Sequence, residues 1–195
     1  MKKTTGELIG EHIKTNKENK IILGIDPGLH FLGIGIIEID PEIINTIETN
    51  KKNKINPISL IPIITNHTHL FLKLKTKRET TEKLFFIYEQ INQIIERYSP
   101  NLIIVEDSFV GLNKNSAIKL GLARGSILTA IGKNKGKVEI IAPKQIKLEV
   151  TQKGNAEKQE IESFFKNNLE NWKNSEKFDS TDALAAAFCG IKFFV

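Results

Sequence analysis

Residues 21–28 read Ile-Ile-Leu-Gly-Ile-Asp-Pro-Gly, and their reading decides the fold. Four of the first five are large aliphatics, and three of those are β-branched isoleucines. A short apolar run closed by turn residues is the pattern of a central strand buried on both faces. Pro27 has no N–H to give a ladder and Gly28 admits a tight turn, so the strand ends at Asp26. That leaves an acid at the carboxyl end of a buried strand, where mixed α/β sheets bind their ligands. Asp26 reads equally well as a residue that opens a turn. Its meaning depends on what the rest of the chain brings to it.

The chain of 195 residues is the size of one domain with a substantial core, and 40% apolar residues argue against disorder. No run of about 18 apolar residues is present, so no membrane span is expected. The opening MKKTTGELIGEHIKTNKENK lacks the apolar stretch of a secretory signal and contains acids, unlike a transit peptide. A cytoplasmic protein is the expectation. The single cysteine, Cys189, excludes an internal disulfide and reads as an inert core residue among Ala and Phe. A net charge of +5 leans toward polyanionic partners, although Lys-rich surfaces are also simply solvated faces.

Outward from the central strand, residues 1–20 are polar and Lys-rich and read as a flexible extension, with one domain over 21–195. Leu32–Ile39 returns as a second strand, and Ile43–Glu48 alternates like a third. Ile58–Thr65 and His69–Leu74 read as further strands. Leu84, Ile87, Tyr88, Ile91, Ile94 and Ile95 recur at helical spacing, which predicts an amphipathic helix over 78–98, ended by Ser99-Pro100. Asn101–Glu106 (NLIIVE) is a second buried strand that finishes on an acid. A helix follows over 115–131, in which Gly121 and Gly125 imply close packing. Val138–Ile141 reads as a strand, and Pro143–Val150, Ala156–Leu169 and Asp179–Gly190 as helices. Strands first, then helices alternating with strands, predict a mixed α/β sheet flanked by helices.

Four acids stand out by position: Asp26 and Glu106 at strand ends, and Asp179 and Asp182 three apart at the start of the last helix. Phosphodiester hydrolysis at neutral pH needs a deprotonated water and neutralised phosphate charge. Two divalent cations about 4 Å apart provide both, and hard cations such as Mg²⁺ take carboxylate oxygens. Three or four converging carboxylates would form that site. Read singly, Asp179 and Asp182 are an N-cap and an N3 residue favoured by the helix dipole, and Glu106-Asp107 is a solvated strand end. His67, His69 and His30 read as surface residues.

With these residues in hand, the sequence resembles the RuvC family of Holliday junction endonucleases. The matching stretches are GIDPGLHFLGIGII (24–37), IIVEDSFVGLNKNSAIKLGLARG (103–125), APKQIKLEVTQKGNAEKQEI (142–161) and DSTDALAAAFC (179–189), in family order. The resemblance implies a ribonuclease H-like fold, a homodimer, and Mg²⁺-dependent cleavage that places two symmetric nicks across a four-way DNA junction. By the same resemblance Mn²⁺ can substitute, and a branch-migration motor of the RuvA and RuvB type is an expected partner. The family's catalytic acids fall on Asp26, Glu106, Asp179 and Asp182, which the resemblance makes ligands of two Mg²⁺ ions per site, with Asp26 between them. Phe109 matches the aromatic that the family uses at the junction crossover; stacking on an unpaired base is worth about 1–3 kcal/mol. Lys147 and Lys158 match basic positions near the site, and Lys114, Lys119, Arg124 and Lys144 extend a face for phosphates. The 115–131 helix matches the family's dimer helix.

Three features depart from the family pattern: the 20-residue leader, the 40–75 stretch, and Leu32, which stands where many members carry a small polar residue and bears on packing. Three rival readings remain on sequence alone. Another ribonuclease H-like nuclease would prefer an RNA/DNA hybrid. A silent junction-binding protein would keep the fold without cleavage. Gly-Ile-Asp-Pro-Gly also resembles the first phosphate loop of actin-like ATPases, which need a second domain and further Gly-rich loops.

Overall fold

The computed structural model describes residues 19–44, 56–74, 79–107, 114–172 and 178–195. Five strands form one sheet: β1 (Lys20–Asp26), β2 (Phe31–Ile39), β3 (Ile64–Lys73), β4 (Leu102–Glu106) and β5 (Val138–Ile141), in the order β3-β2-β1-β4-β5. β1 pairs antiparallel with β2, and β2 with β3, while β4 and β5 run parallel to β1. The helices are α1 (Pro41–Ile44), α2 (Thr80–Tyr98), α3 (Lys114–Lys133), α4 (Pro143–Thr151), α5 (Lys158–Asn168) and α6 (Phe178–Cys189), with 3-10 turns at Pro57–Ile63 and Gly190–Phe193. No helix among the described residues is long and apolar enough to cross a membrane.

Strand pleating sends alternate residues to opposite faces. On β1 and β4, Ile21, Leu23, Ile25, Ile103 and Val105 share one core with α2 and α3, while Ile22, Leu102 and Ile104 share the other with α4, α5 and α6. Asn101 locks the central pair. Its side-chain oxygen accepts from Ile21 N at 2.8 Å, and its own N–H donates to Ile21 O at 2.8 Å. α2 opens on a reciprocal cap between Glu79 and Glu82 and closes at Ser99, which adopts φ 45° and donates to Ile95 O. Leu32 is fully buried in the first core.

On the second face the sheet is bare where the last helix crosses it. Gly24 and Gly35 are register partners on β1 and β2. A Cβ on Gly24 would lie 2.0 Å from Ala183 O, and one on Gly35 would lie 2.4 Å from Leu184 Cα. Only glycine lets helix backbone meet sheet backbone this closely. The Ala-rich stretch 185–187 completes the contact, and α6 is buried along Ala183–Cys189.

The middle of the chain corrects two expectations. The predicted strand at 43–48 is absent over its described part, because Pro41 starts the short helix α1 and Asp40 Oδ1 accepts from Glu42 N at 2.8 Å. Residues 45–48 lie outside the described residues. Of the predicted strand Ile58–Thr65, residues 58–63 form a 3-10 turn, capped by the Asn56 side chain and carrying Pro57 and Pro62, and only Ile64 and Thr65 are strand. β3 then runs unbroken from Ile64 to Lys73, so it absorbs the predicted strand at 69–74. Lys20 already belongs to β1, and Asn19 donates to Glu38 Oε1 at 3.0 Å; residues 1–18 of the expected extension lie outside the described residues.

Candidate active site

The parallel register of β1 on β4 pairs Ile25 with Val105, and one further step sets Asp26 beside Glu106. Parallel neighbours lie about 4.8 Å apart. Asp26 shares the pleat of Ile22 and Gly24, and Glu106 that of Leu102 and Ile104, so both carboxylates point to the α6 face. Both residues are half-buried. The β2 partner of Asp26 is Gly33, which contributes no side chain, so the space beside the carboxylate is not filled from that strand.

The glycine contacts orient α6. Gly190, just past its end, abuts Ile22 and Ile104, whereas Ala183 and Ala187 abut Gly24. The helix therefore climbs toward the carboxyl ends of the strands as it is followed back to its start. Asp182 immediately precedes Ala183 and sits at that end. Its carboxylate is 14% exposed and meets Lys158 Nζ at 2.5 Å. Lys158 is the first residue of α5, so α5 delivers a cation onto the acid of α6. Asp179 lies in the first turn of the same helix, and its side chain lies outside the described residues.

The other sequence-predicted residues divide. Lys144 and Lys147 sit on α4, whose first turn directly follows the end of β5 at the same edge of the sheet. Lys147 is close enough to Glu160 to help hold that carboxyl below its ordinary value, after the Glu157 backbone N–H and the Lys153 ammonium. Lys114 and Lys119 are exposed on α3, which packs on the opposite face. Lys144 and Lys147 thus sit on a helix of one face of the sheet, and Lys114 and Lys119 on a helix of the other. Arg124 is ion-paired with Asp107, the residue after Glu106. That pair ties α3 to the end of β4. Phe109 lies outside the described residues.

The histidine expectation holds for His30, which is exposed, and is corrected at the other two. His67 and His69 are half-buried, not surface residues. His69 stacks on Trp172 with centroids 4.4 Å apart, and His67 Nε2 donates to Glu170 O at 2.8 Å. Their signal in the sequence was the i,i+2 spacing on one strand face; Trp172, a hundred residues away, gave none. Cys189 behaves as expected: it is 2% exposed, and burial first, then the Glu149 and Glu106 carboxylates, push its thiol far above the usual range.

The donor set at the strand ends is carboxylate oxygen, the chemistry that suits Mg²⁺ or Mn²⁺. Among the described residues no three His, Cys, Asp or Glu side chains are gathered as a ready metal cluster. Asp26, Glu106 and Asp182, the described members of the four expected acids, lie at this edge without forming such a cluster, and the side chain of Asp179 lies outside the described residues. Their hard-oxygen chemistry and shared edge of the sheet fit a divalent cation.

A family model for crossover junction endodeoxyribonuclease RuvC matches residues 63–190, which include Glu106, Asp179 and Asp182. The RuvC of Christiangramia forsetii is 31% identical over 173 residues, covering 89% of this chain and 80% of that relative. The RuvC of Hydrogenovibrio crunogenus is 34% identical over 170 residues, covering 87% and 86%. Thermus thermophilus RuvC, solved in complex with a Holliday junction substrate, superposes with a TM-score of 0.69 at 22% identity, over 89% of this chain and 94% of that one. That likeness carries the ribonuclease H-like fold. With these matches over most of its length, the chain belongs to the RuvC family of crossover junction endodeoxyribonucleases.

Proposed function

We infer that this chain resolves four-way DNA junctions by symmetric phosphodiester hydrolysis, at a Mg²⁺ site formed by Asp26, Glu106, Asp179 and Asp182. The observation that carries the reading is the convergence of Asp26 and Glu106, on neighbouring parallel strand ends, toward the end of α6 that bears the two aspartates. Divalent cations bound there would supply an activated water and offset phosphate charge. The protein's own contribution is placement. Glycine contacts seat α6 against the strands and bring its aspartate-bearing end to the edge of the sheet where Asp26 and Glu106 lie. Lys158 balances the charge of Asp182 and fixes its carboxylate orientation. Lys147, Lys144, Lys114 and Lys119 are the proposed contacts for the phosphate backbone. Phe109 is the proposed stacking residue at the crossover.

The proposal includes a homodimer through α3. None of the first nine residues of that helix is buried, and they span about 13 Å. Ile118 and Leu122 are exposed there, and a Cβ on Gly121 or Gly125 meets nothing within 4 Å in this chain. The close packing expected of these glycines is therefore not made within the chain, and a second copy is the proposed occupant. Two sites on one dimer would nick opposite strands. A branch-migration motor of the RuvA and RuvB type is the proposed partner, and the cytoplasm the proposed location.

The test is cleavage of a labelled four-way junction, an RNA/DNA hybrid and a linear duplex, with Mg²⁺ and with chelator. Paired, religatable nicks in the junction alone, dependent on Mg²⁺, are expected. Preferential cutting of the hybrid would replace the substrate, and tight junction binding without nicks would make the protein a silent binder. Affinity should fall steeply with salt.

A further inference from the structure

The glycine floor under α6 has a side wall. Gly24, Gly35 and His69 form one row across β1, β2 and β3, and residues directly opposed in antiparallel strands point to the same face. The first two positions are bare and carry the helix, with Leu184 seated on Gly35. The third raises an imidazole beside it. His69 stacks on Trp172 at 4.4 Å and 21°, Trp172 stacks in turn on Phe165 of α5 at 6.1 Å, and Phe165 meets Phe188 of α6 at 5.7 Å. His67, two residues along the same face, ties the backbone of this segment down through Glu170 O.

We propose that His69 and Trp172 are positioning residues for the acid-bearing end of α6, acting as a rail that stops the helix sliding across its glycine floor. A floor without side chains gives backbone contact but little lateral registry, since no knob enters a hole there. Registry must come from the edges of the trough. The aromatic row supplies it on the β3 side and couples it to α5, whose Lys158 grips Asp182. The inference rests on the proposed role of Asp179 and Asp182 in cleavage.

The experiment compares His69→Ala, Trp172→Ala, His69→Phe and Trp172→Phe by amide exchange and by single-turnover junction cleavage across a Mg²⁺ titration. In His69→Ala, exchange over residues 181–187 should rise about tenfold while β1 and β4 keep their protection. Cleavage should fall about tenfold, with a higher Mg²⁺ requirement and junction affinity within about twofold of wild type, because small misplacement of a site costs rate. The Phe variants should recover most of both. Unchanged exchange in α6 of His69→Ala overturns the proposal, as does an equal rise in β1 and β4, which would mark general destabilisation. A wild-type protein that never nicks a junction would sink the nuclease reading instead, and the exchange data alone would still decide the rail.

Discussion

The two faces of the sheet are built on opposite plans. One carries buried isoleucines, leucines and a valine from four strands against α2 and α3, so the helices ride on bulky side chains. The other is stripped to glycine at Gly24 and Gly35, and α6 lies on backbone. The first plan is tolerant: aliphatics of similar volume can repack. The second is not, because the distance between helix and strand is set by the absence of any side chain. The acids lie at the edge of the intolerant face. A site made of short carboxylates from a strand and a helix needs the two backbones close, and glycine is what allows it.

The comparison breaks most visibly at the acids. Asp26→Asn or Glu106→Gln should cost about 10³-fold or more in junction cleavage, with folding and junction binding intact. Near-normal nicking by either variant would remove the site assignment. Next comes the floor. Gly35→Val should destabilise by about 3 kcal/mol and lower Tm by roughly 6–12 °C in a thermal melt, because the new side chain meets the backbone of Leu184. A melt within a degree of wild type would show that α6 is not seated as described. The glycines of α3 should behave in the opposite way. Gly121→Ala and Gly125→Ala each gain about 1 kcal/mol of helix stability in a monomer, whereas light scattering should show a weakened dimer if a second copy packs there. The smallest effect is at Glu160, whose carboxyl is held low by the Glu157 backbone N–H and by Lys153. A lowered folded-state value means that its stabilisation is present above the ordinary carboxylate value and is lost as pH falls. The stability gap between wild type and Glu160→Gln, read by urea unfolding, should therefore be open at pH 7 and close below pH 4.5.

Much of this was legible in the chain. The apolar run before Asp26 and the NLIIVE stretch before Glu106 fold as expected, because burial on both faces leaves a strand no polar alternation to imitate anything else. α2, α5 and α6 appear within a few residues of their predicted spans. The errors fell where local signals compete. Residues 43–44 and 58–63 are rich in isoleucine, yet Asp40-Pro41 and Asn56-Pro57 cap helical turns before a strand can start.

Sequence alone determined which residues are acids at strand ends, the order of the elements and the family pattern, since these depend on identity and spacing along the chain. Tertiary structure decided that Asp26 and Glu106 point to one face, that Lys158 meets Asp182, and that His69 finds Trp172. It also split the lysines between two faces and tied Arg124 to Asp107. The physical reason is pleat and register. They set which distant side chains become neighbours, and they exist only once strands have paired and a helix has come down on bare glycine.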